Sequence, residues 1–445
     1  MKILIKGFKY IIIVFSFFYI QKCYSQDDSI TIRYSRFFLP NDMRVILCPD
    51  KTSPTVTAVM MYRVGSKDES PERTGFAHFF EHLMFEGSNN IKHGEIDDLI
   101  QIAGGTINGI TTNDYTVYYS ELPSNQIKLG LWIEAERMKS ARIEEAGIES
   151  QRRIIREERK QLIDNKQYGF VIENILAYNG LGTPYSWAPI GSAQYIDRAR
   201  IGEFQDFYKK FYVPNNAILI LSGDFDTIKT KSWVLDYFSG IPKGNLIPRQ
   251  NFEWKPSTKE LQIDIKDSKN DLPAISYSYK TIGKKDSDYI AVALLSKILV
   301  EGRSSKISQN LISTNSLALD VQGLPLFFEK GGILGIFAVM YPSTIFENIM
   351  LELDREISNI SNSEVTDQDL NKAKNMMEFE MVEERSNTLE KSIKLGELDF
   401  YFQKPALINK EISMMKAITK NDILRVAKKY LDPDNRVILR YKMNK

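Results

Sequence analysis

Cysteine and histidine are the scarce chemistry of this chain, whose 445 residues hold two cysteines and three histidines. Two cysteines exclude a disulfide-stapled scaffold and every zinc site built from cysteine pairs, so a metal here must be held by histidine and carboxylate. A surplus of one charge is also lacking. Lys+Arg 58 stand against Asp+Glu 57, and without a basic excess there is no sequence-independent pull toward a polyanion, so nucleic-acid binding is not expected. Long apolar runs are missing as well. Residues 10–20 form a run broken only by Ser16, which is shorter than the roughly 20 residues a helix needs to span a bilayer. No membrane span is expected in the mature chain.

That short run follows Lys2, Lys6 and Lys9 and ends at Cys23-Tyr24-Ser25, with small residues at −3 and −1 before Gln26. A basic start, an apolar core and a small-residue cut site are the pattern of a cleaved signal peptide, here residues 1–25. The mature chain is then expected outside the cytoplasm, periplasmic or secreted from a bacterium. Losing Cys23 leaves Cys48 alone, so no intrachain disulfide is possible.

The length favours two or three globular units, and the two halves echo one another. Residues 209–220 and 428–439 align at an offset of 219, each a helix running through an x-Pro-x-Asn turn into a β-branched strand. A weaker echo near offset 215 aligns residues 76–88 with 292–304. A duplicated domain follows: an N-terminal domain at 26–241, a Pro- and Gly-punctuated linker at 242–259, and a C-terminal domain at 260–445.

Within the first half, 56–64 reads as a buried strand and 94–102 as a helix closed by Gly104-Gly105. Residues 106–112 and 115–122 alternate around Asn113-Asp114 as a hairpin, and helices follow at about 123–140 and 144–164. Hairpins and helix pairs, rather than strict strand-helix alternation, predict an α+β fold: two homologous domains, each a mainly antiparallel sheet packed with helices.

Two of the three histidines bracket a glutamate in His78-Phe79-Phe80-Glu81-His82. On a helix, positions i and i+4 share a face, so both imidazoles can reach one ion while Glu81 projects to the same side. Zn²⁺ suits imidazole and carboxylate, and a catalytic site needs about three protein ligands and an open position. Glu81 is then free to take the proton of an attacking water. The third ligand must be a carboxylate from another element, and spacing leaves Glu149, Glu157 and Glu158 open.

The inverted His-x-x-Glu-His motif, the approach Tyr62-Arg63-Val64-Gly65-Ser66 with Thr74-Gly75-Phe76-Ala77, the stretch Gly104-Gly105-Thr106-Ile107-Asn108-Gly109-Ile110-Thr111-Thr112, and Tyr212-Val213-Pro214-Asn215-Asn216-Ala217 together resemble the pitrilysin/insulinase family of metallopeptidases. The likeness is to its half-size, mitochondrial-processing-peptidase-like members. It implies a zinc endopeptidase with one Zn²⁺ per chain held by His78, His82 and Glu158, Glu157 being the reserve, because Arg152, Ile154 and Glu158 fit the family's pattern for the third ligand. It implies Glu81 as the catalytic base, Asn108 holding substrate backbone beside the zinc, and the strand through Thr111 taking peptide by β-addition.

Two departures stand out. Gln151 occupies a place where many members carry glutamate, which should alter what surrounds the ligands rather than the ligands themselves. Ile312 and Leu319 fall where self-contained members place an Arg and a Tyr to grip substrate carbonyls. The resemblance therefore implies unfolded peptides as substrates and a homo- or heterodimer, in which a second chain of the family supplies the missing Arg and Tyr. At the weaker echo Ala293, Ser296 and Lys297 stand for His78, Glu81 and His82, so the second half carries no metal set.

Overall fold

Two sheets organise the chain, one from each half. In the computed structural model, residues 31–267, 269–362 and 365–443 are described; the expected signal peptide at 1–25 lies outside them. The first sheet contains β1 (Ser35–Phe38), β2 (Arg44–Pro49), β3 (Thr55–Tyr62), β4 (Thr106–Thr111), β5 (Thr116–Pro123) and β6 (Ala217–Gly223), in the order β1-β2-β6-β3-β5-β4. The second contains β7 (Leu261–Lys266), β8 (Ala274–Thr281), β9 (Ala318–Phe327), β10 (Gly332–Met340) and β11 (Arg436–Lys442), in the order β7-β11-β8-β10-β9. Without β1 the two orders coincide. Each sheet has one parallel pairing at the same place, β2 with β6 and β7 with β11, and the other pairings are antiparallel. The expected α+β fold and its internal duplication are observed.

The helices used below are α1 (Phe76–Leu83), α2 (Glu95–Ile102), α3 (Ile127–Ser140), α4 (Glu145–Arg159), α5 (Val171–Asn179), α6 (Ile201–Phe211), α7 (Tyr289–Val300), α8 (Asp367–Ser386), α9 (Thr388–Phe402) and α10 (Lys420–Tyr430). The repeated turn has a repeated cause. Asn216 donates from Nδ2 to the carbonyls of Phe211, at 2.8 Å, and Arg63. Asn435 donates likewise to Tyr430, at 2.9 Å, and Lys280. In each half one asparagine ties the end of a helix, α6 or α10, to the neighbouring strand, so buried carbonyls are not left unpaired.

One face of each sheet packs on helices of its own half. On β3, Val56, Ala58, Met60 and Tyr62 face a core shared with α1, α3 and α6. The opposite faces are covered by exchange. Helix α9, from the second half, lies on the first sheet: Ser392 donates to Ser222 at 2.7 Å, and Gly396 approaches so closely that a Cβ there would lie 2.9 Å from the tip of Met61, Cε. Helix α5, from the first half, lies on the second sheet and buries Val171, Ile175 and Leu176 against Ala274, Phe337 and Leu439. No helix or strand lies between Phe238 and Leu261.

The two hairpin tips also meet. Asp114, in the β4-β5 turn, accepts from Lys67 Nζ at 2.6 Å, from Tyr185 Oη at 2.7 Å, and from the backbone N–H of Glu329 in the β9-β10 turn at 2.8 Å. Glu329 in turn accepts from Lys67 at 2.6 Å and from Lys285 at 2.8 Å. A buried carboxylate needs such a full set of donors to offset its desolvation.

Candidate metal centre

The centre forms where α1 passes between α4 and the edge strand β4. Alternation along α1 is helical: Phe76, Phe79, Phe80 and Leu83 are buried in the core, with Phe76 and Phe79 against Phe204 and Phe80 against Phe207. The remaining face carries His78, Glu81 and His82, as the i, i+4 spacing requires. The start of α1 is pinned by Glu69, whose carboxylate accepts from the backbone N–H groups of Gly75 at 3.0 Å and Ala77 at 2.7 Å and from Trp187 Nε1 at 3.0 Å. Burial nevertheless pushes that carboxyl up to about 8.

Among the three glutamates left open by spacing, the fold distinguishes clearly. Arg152 on α4 is held by the carbonyls of Ile196 and Ala199, and it takes Glu149 as its partner at 3.0 Å. Glu157 is exposed and pairs with Lys160. Glu158 alone turns to the histidines, its Oε2 lying 3.6 Å from His78 Nε2 and 3.3 Å from His82 Nε2. Four ligands about 2.0–2.1 Å from a zinc ion in a tetrahedron lie about 3.3 Å apart, so these spacings fit one ion. Glu158 Oε2 is buried without a hydrogen-bond donor among the described residues, which also suits an atom meant for a cation. His78, His82 and Glu158 are the group among the described residues whose ligand atoms converge in this way.

The two imidazoles are pushed in opposite directions. Burial, and then the neighbouring His82, push His78 down to about 4, so its imidazole is neutral near pH 7 and keeps a lone pair for a ligand bond. Burial opposes charge on His82 too, but the Glu158 carboxylate 3.3 Å away outweighs this and raises it. The nearness of His82 in turn lowers Glu158. Glu81 is raised by burial, although the hydroxyl of Thr111 donates to its Oε2 at 2.5 Å.

Two residues expected to bind substrate have distinct positions. Thr111 holds Glu81, a contact the strand pattern did not foretell. Asn108 lies on the opposite face of β4, because side chains alternate and Gly109 is the residue facing α1: a Cβ there would lie 2.6 Å from Glu81 Cγ. The Asn108 Oδ1 accepts from the N–H of Gly109 at 2.8 Å. Among the described residues β4 pairs with β5 only, and its other edge carries no strand. Sequence reasoning missed Gly109 as clearance for Glu81; a glycine inside a strand was the available signal.

Around the ligands, Gln151 Oε1 lies 3.1 Å from His82 Nδ1, and Gln151 Nε2 donates to Glu86 Oε1 at 2.6 Å. Glu86 Oε2 lies 2.6 Å from Nδ1 of the third histidine, His93. Ile312 packs at the margin of the second core and Leu319 is exposed at the start of β9; neither side chain can donate a hydrogen bond.

Comparison with known proteins places these residues in context. The family description "Insulinase (Peptidase family M16)" matches residues 44–183, which include His78, Glu81, His82 and Glu158, and "Peptidase M16 inactive domain" matches 200–377. The zinc protease PqqE of Helicobacter pylori is 27% identical over 340 residues, 76% of each chain. A solved protease structure from Helicobacter pylori is similar with a TM-score of 0.87 at 23% identity, over 92% of this chain and 100% of that one. The periplasmic protease PqqL of Escherichia coli is similar with a TM-score of 0.74 at 17% identity, over 92% of this chain and 48% of its own.

Proposed function

Because the chain belongs to the insulinase (pitrilysin, M16) family of peptidases, we propose that it is an exported zinc metalloendopeptidase that hydrolyses unfolded peptides. The observation that carries this reading is the single Glu158 oxygen facing both imidazole Nε2 atoms beside a half-buried Glu81. His78, His82 and Glu158 would hold one zinc ion, which when bound supplies Lewis acidity toward the scissile carbonyl. Glu81 takes a proton from the attacking water and delivers it to the leaving amine. Its raised pKa suits both tasks, since a base that is too weak cannot take the proton and an acid that is too weak cannot return it.

The substrate would lie along the open edge of β4 as an added strand, main chain to main chain. Thr111 orients Glu81 from this strand, and Asn108 borders the same edge from the opposite face. The near balance of charge gives no reason to expect a preference for strongly charged peptides. The zinc group falls in the proposed N-terminal domain, 26–241.

A dimer supports the activity best. The chain is similar in fold to about half of the E. coli protease, and Ile312 and Leu319 lack the donors that would grip a substrate carbonyl. A second chain of the same family, identical or not, would supply an Arg and a Tyr. Export is in keeping with the periplasmic location of that protease, and no helix among the described residues is long and apolar enough to cross a membrane.

Zinc content and cleavage of a quenched fluorescent peptide library test the proposal. About one zinc per chain with chelator-sensitive cleavage is expected. Zinc without cleavage by the isolated chain would mean that a different partner is needed, and absence of zinc would overturn the site.

A further inference from the structure

The two histidines of the centre are supported unequally. His78 Nδ1 is buried with no hydrogen-bond partner among the described residues, whereas His82 Nδ1 faces Gln151 Oε1 at 3.1 Å. The direction of the Gln151 amide is decided by what lies beyond it. Glu86 is buried, 4% exposed, and both its oxygens are engaged, one 2.6 Å from Gln151 Nε2 and one 2.6 Å from His93 Nδ1. Two acceptor oxygens at 2.6 Å would repel, so the amide NH₂ must face Glu86 and the amide oxygen must face His82. That oxygen can only accept, so His82 Nδ1 must carry a hydrogen, which leaves Nε2 as the ring nitrogen a metal would take. Gly147 on α4 gives the carboxylate room: a Cβ there would lie 3.0 Å from Glu86 Oε2.

We infer that Gln151 is a positioning residue that selects the Nδ1–H tautomer of His82, and that Glu86, held in turn by His93, is the group that fixes the amide. The inference rests on the zinc reading above. It makes His82 the ligand fixed in advance and His78 the ligand whose ring is set only by packing.

Two readouts test this on the full chain. In zinc affinity measured by chelator competition, Gln151→Leu should weaken binding 10- to 100-fold, the usual cost of losing a group that orients a metal-bound imidazole. Glu86→Gln should weaken it less, because the amide can then face either way. Gln151→Glu should stay within about threefold of the unaltered chain, because two carboxyls in contact retain one proton between them and an oxygen still faces His82. The second readout is ¹⁵N-histidine NMR of the zinc-loaded chain, where three histidines give a simple spectrum. A His82 Nδ1–H proton slow to exchange with solvent is expected, and it should be lost in Gln151→Leu while His78 is unmoved.

An unchanged affinity and proton signal in both Gln151→Leu and Glu86→Gln would overturn the inference. So would an equal loss in Gln151→Glu and Gln151→Leu, because the acceptor oxygen would then be irrelevant. If the unaltered chain binds no zinc, the zinc reading fails and the inference with it; if it binds zinc regardless of Gln151, only the inference fails.

Discussion

The two halves share a strand order, a turn asparagine and an exchanged helix, yet differ where chemistry is concerned. In the first half α1, α4 and β4 enclose two imidazoles and two carboxylates. In the second half α7, α8 and β9, together with α9, line a cavity of about 650 Å³ whose wall includes Ala293, Ser296, Lys297 and Met377, the residues that the two offsets align with His78, Glu81, His82 and Glu158. Lys297 is tied there to Glu301 at 2.7 Å and Glu380 at 2.6 Å. The lesson is that the fold does not depend on the site. Sheet, turn and helix packing are satisfied in both halves by apolar burial and backbone pairing, so four side chains pointing into a cleft can change freely.

The halves also dock differently. Helix α5 sits on the second sheet through Val171, Ile175 and Leu176. Helix α9 sits on the first sheet with ion pairs: Asp399, fully buried, takes Arg36 at 2.6 Å and Arg44 at 2.9 Å, and Lys391 takes Asp50 at 2.6 Å.

The sharpest way to break the comparison is a matched pair of substitutions. Glu81→Gln should lower kcat by about 10³-fold, within the range for loss of a general base, with zinc content unchanged by elemental analysis. Ser296→Ala, its counterpart in the second half, should leave kcat unaltered. Equal losses from the two would mean that the second cavity takes part in the reaction.

A smaller effect tests the docking contrast. Asp399→Ala should destabilise the chain by about 3 kcal/mol in urea unfolding, because it strands two arginines that had a buried partner. A change below about 1 kcal/mol would place the strength of that contact in the apolar packing around Gly396, as at α5.

The smallest effect concerns the meeting hairpin tips. Burial pushes Glu329 up, but Lys67, and then Lys285 and Arg63, outweigh it and hold the carboxyl at about 2, below the roughly 4.3 of an unfolded glutamate. Its contribution is therefore present above about pH 4.3 and lost as pH falls toward 2. Glu329→Gln should cost about 1 kcal/mol at pH 7, allowing for solvent screening. The gap from the unaltered chain should close between pH 4.3 and 2 in acid unfolding curves; a gap independent of pH would rule out an ionic role.

Much of the local structure was legible in the chain. Periodicity and Gly104 located α2, Asn113-Asp114 located the β4-β5 hairpin, and the repeated Pro-x-Asn turn exposed the duplication, because each depends on forces between residues near in sequence. The pair His78 and His82 was legible for the same reason, since four residues on a helix is a fixed distance. The exchange of α5 and α9 was not, because an amphipathic helix carries no mark of which sheet it will cover.

By itself, the sequence determined that a metal here must rest on imidazole and carboxylate, that Glu81 shares a face with two histidines, and that the fold is a doubled α+β unit. Spacing left Glu149, Glu157 and Glu158 open and the family pattern favoured Glu158; only the tertiary structure turned Glu158 toward both imidazoles, set Thr111 on Glu81, and joined His82 through Gln151 to Glu86 and His93. Those choices depend on how α4 and β4 lie against α1. Contacts between elements are set by the packing of whole faces, and residue types along one stretch of chain do not encode them.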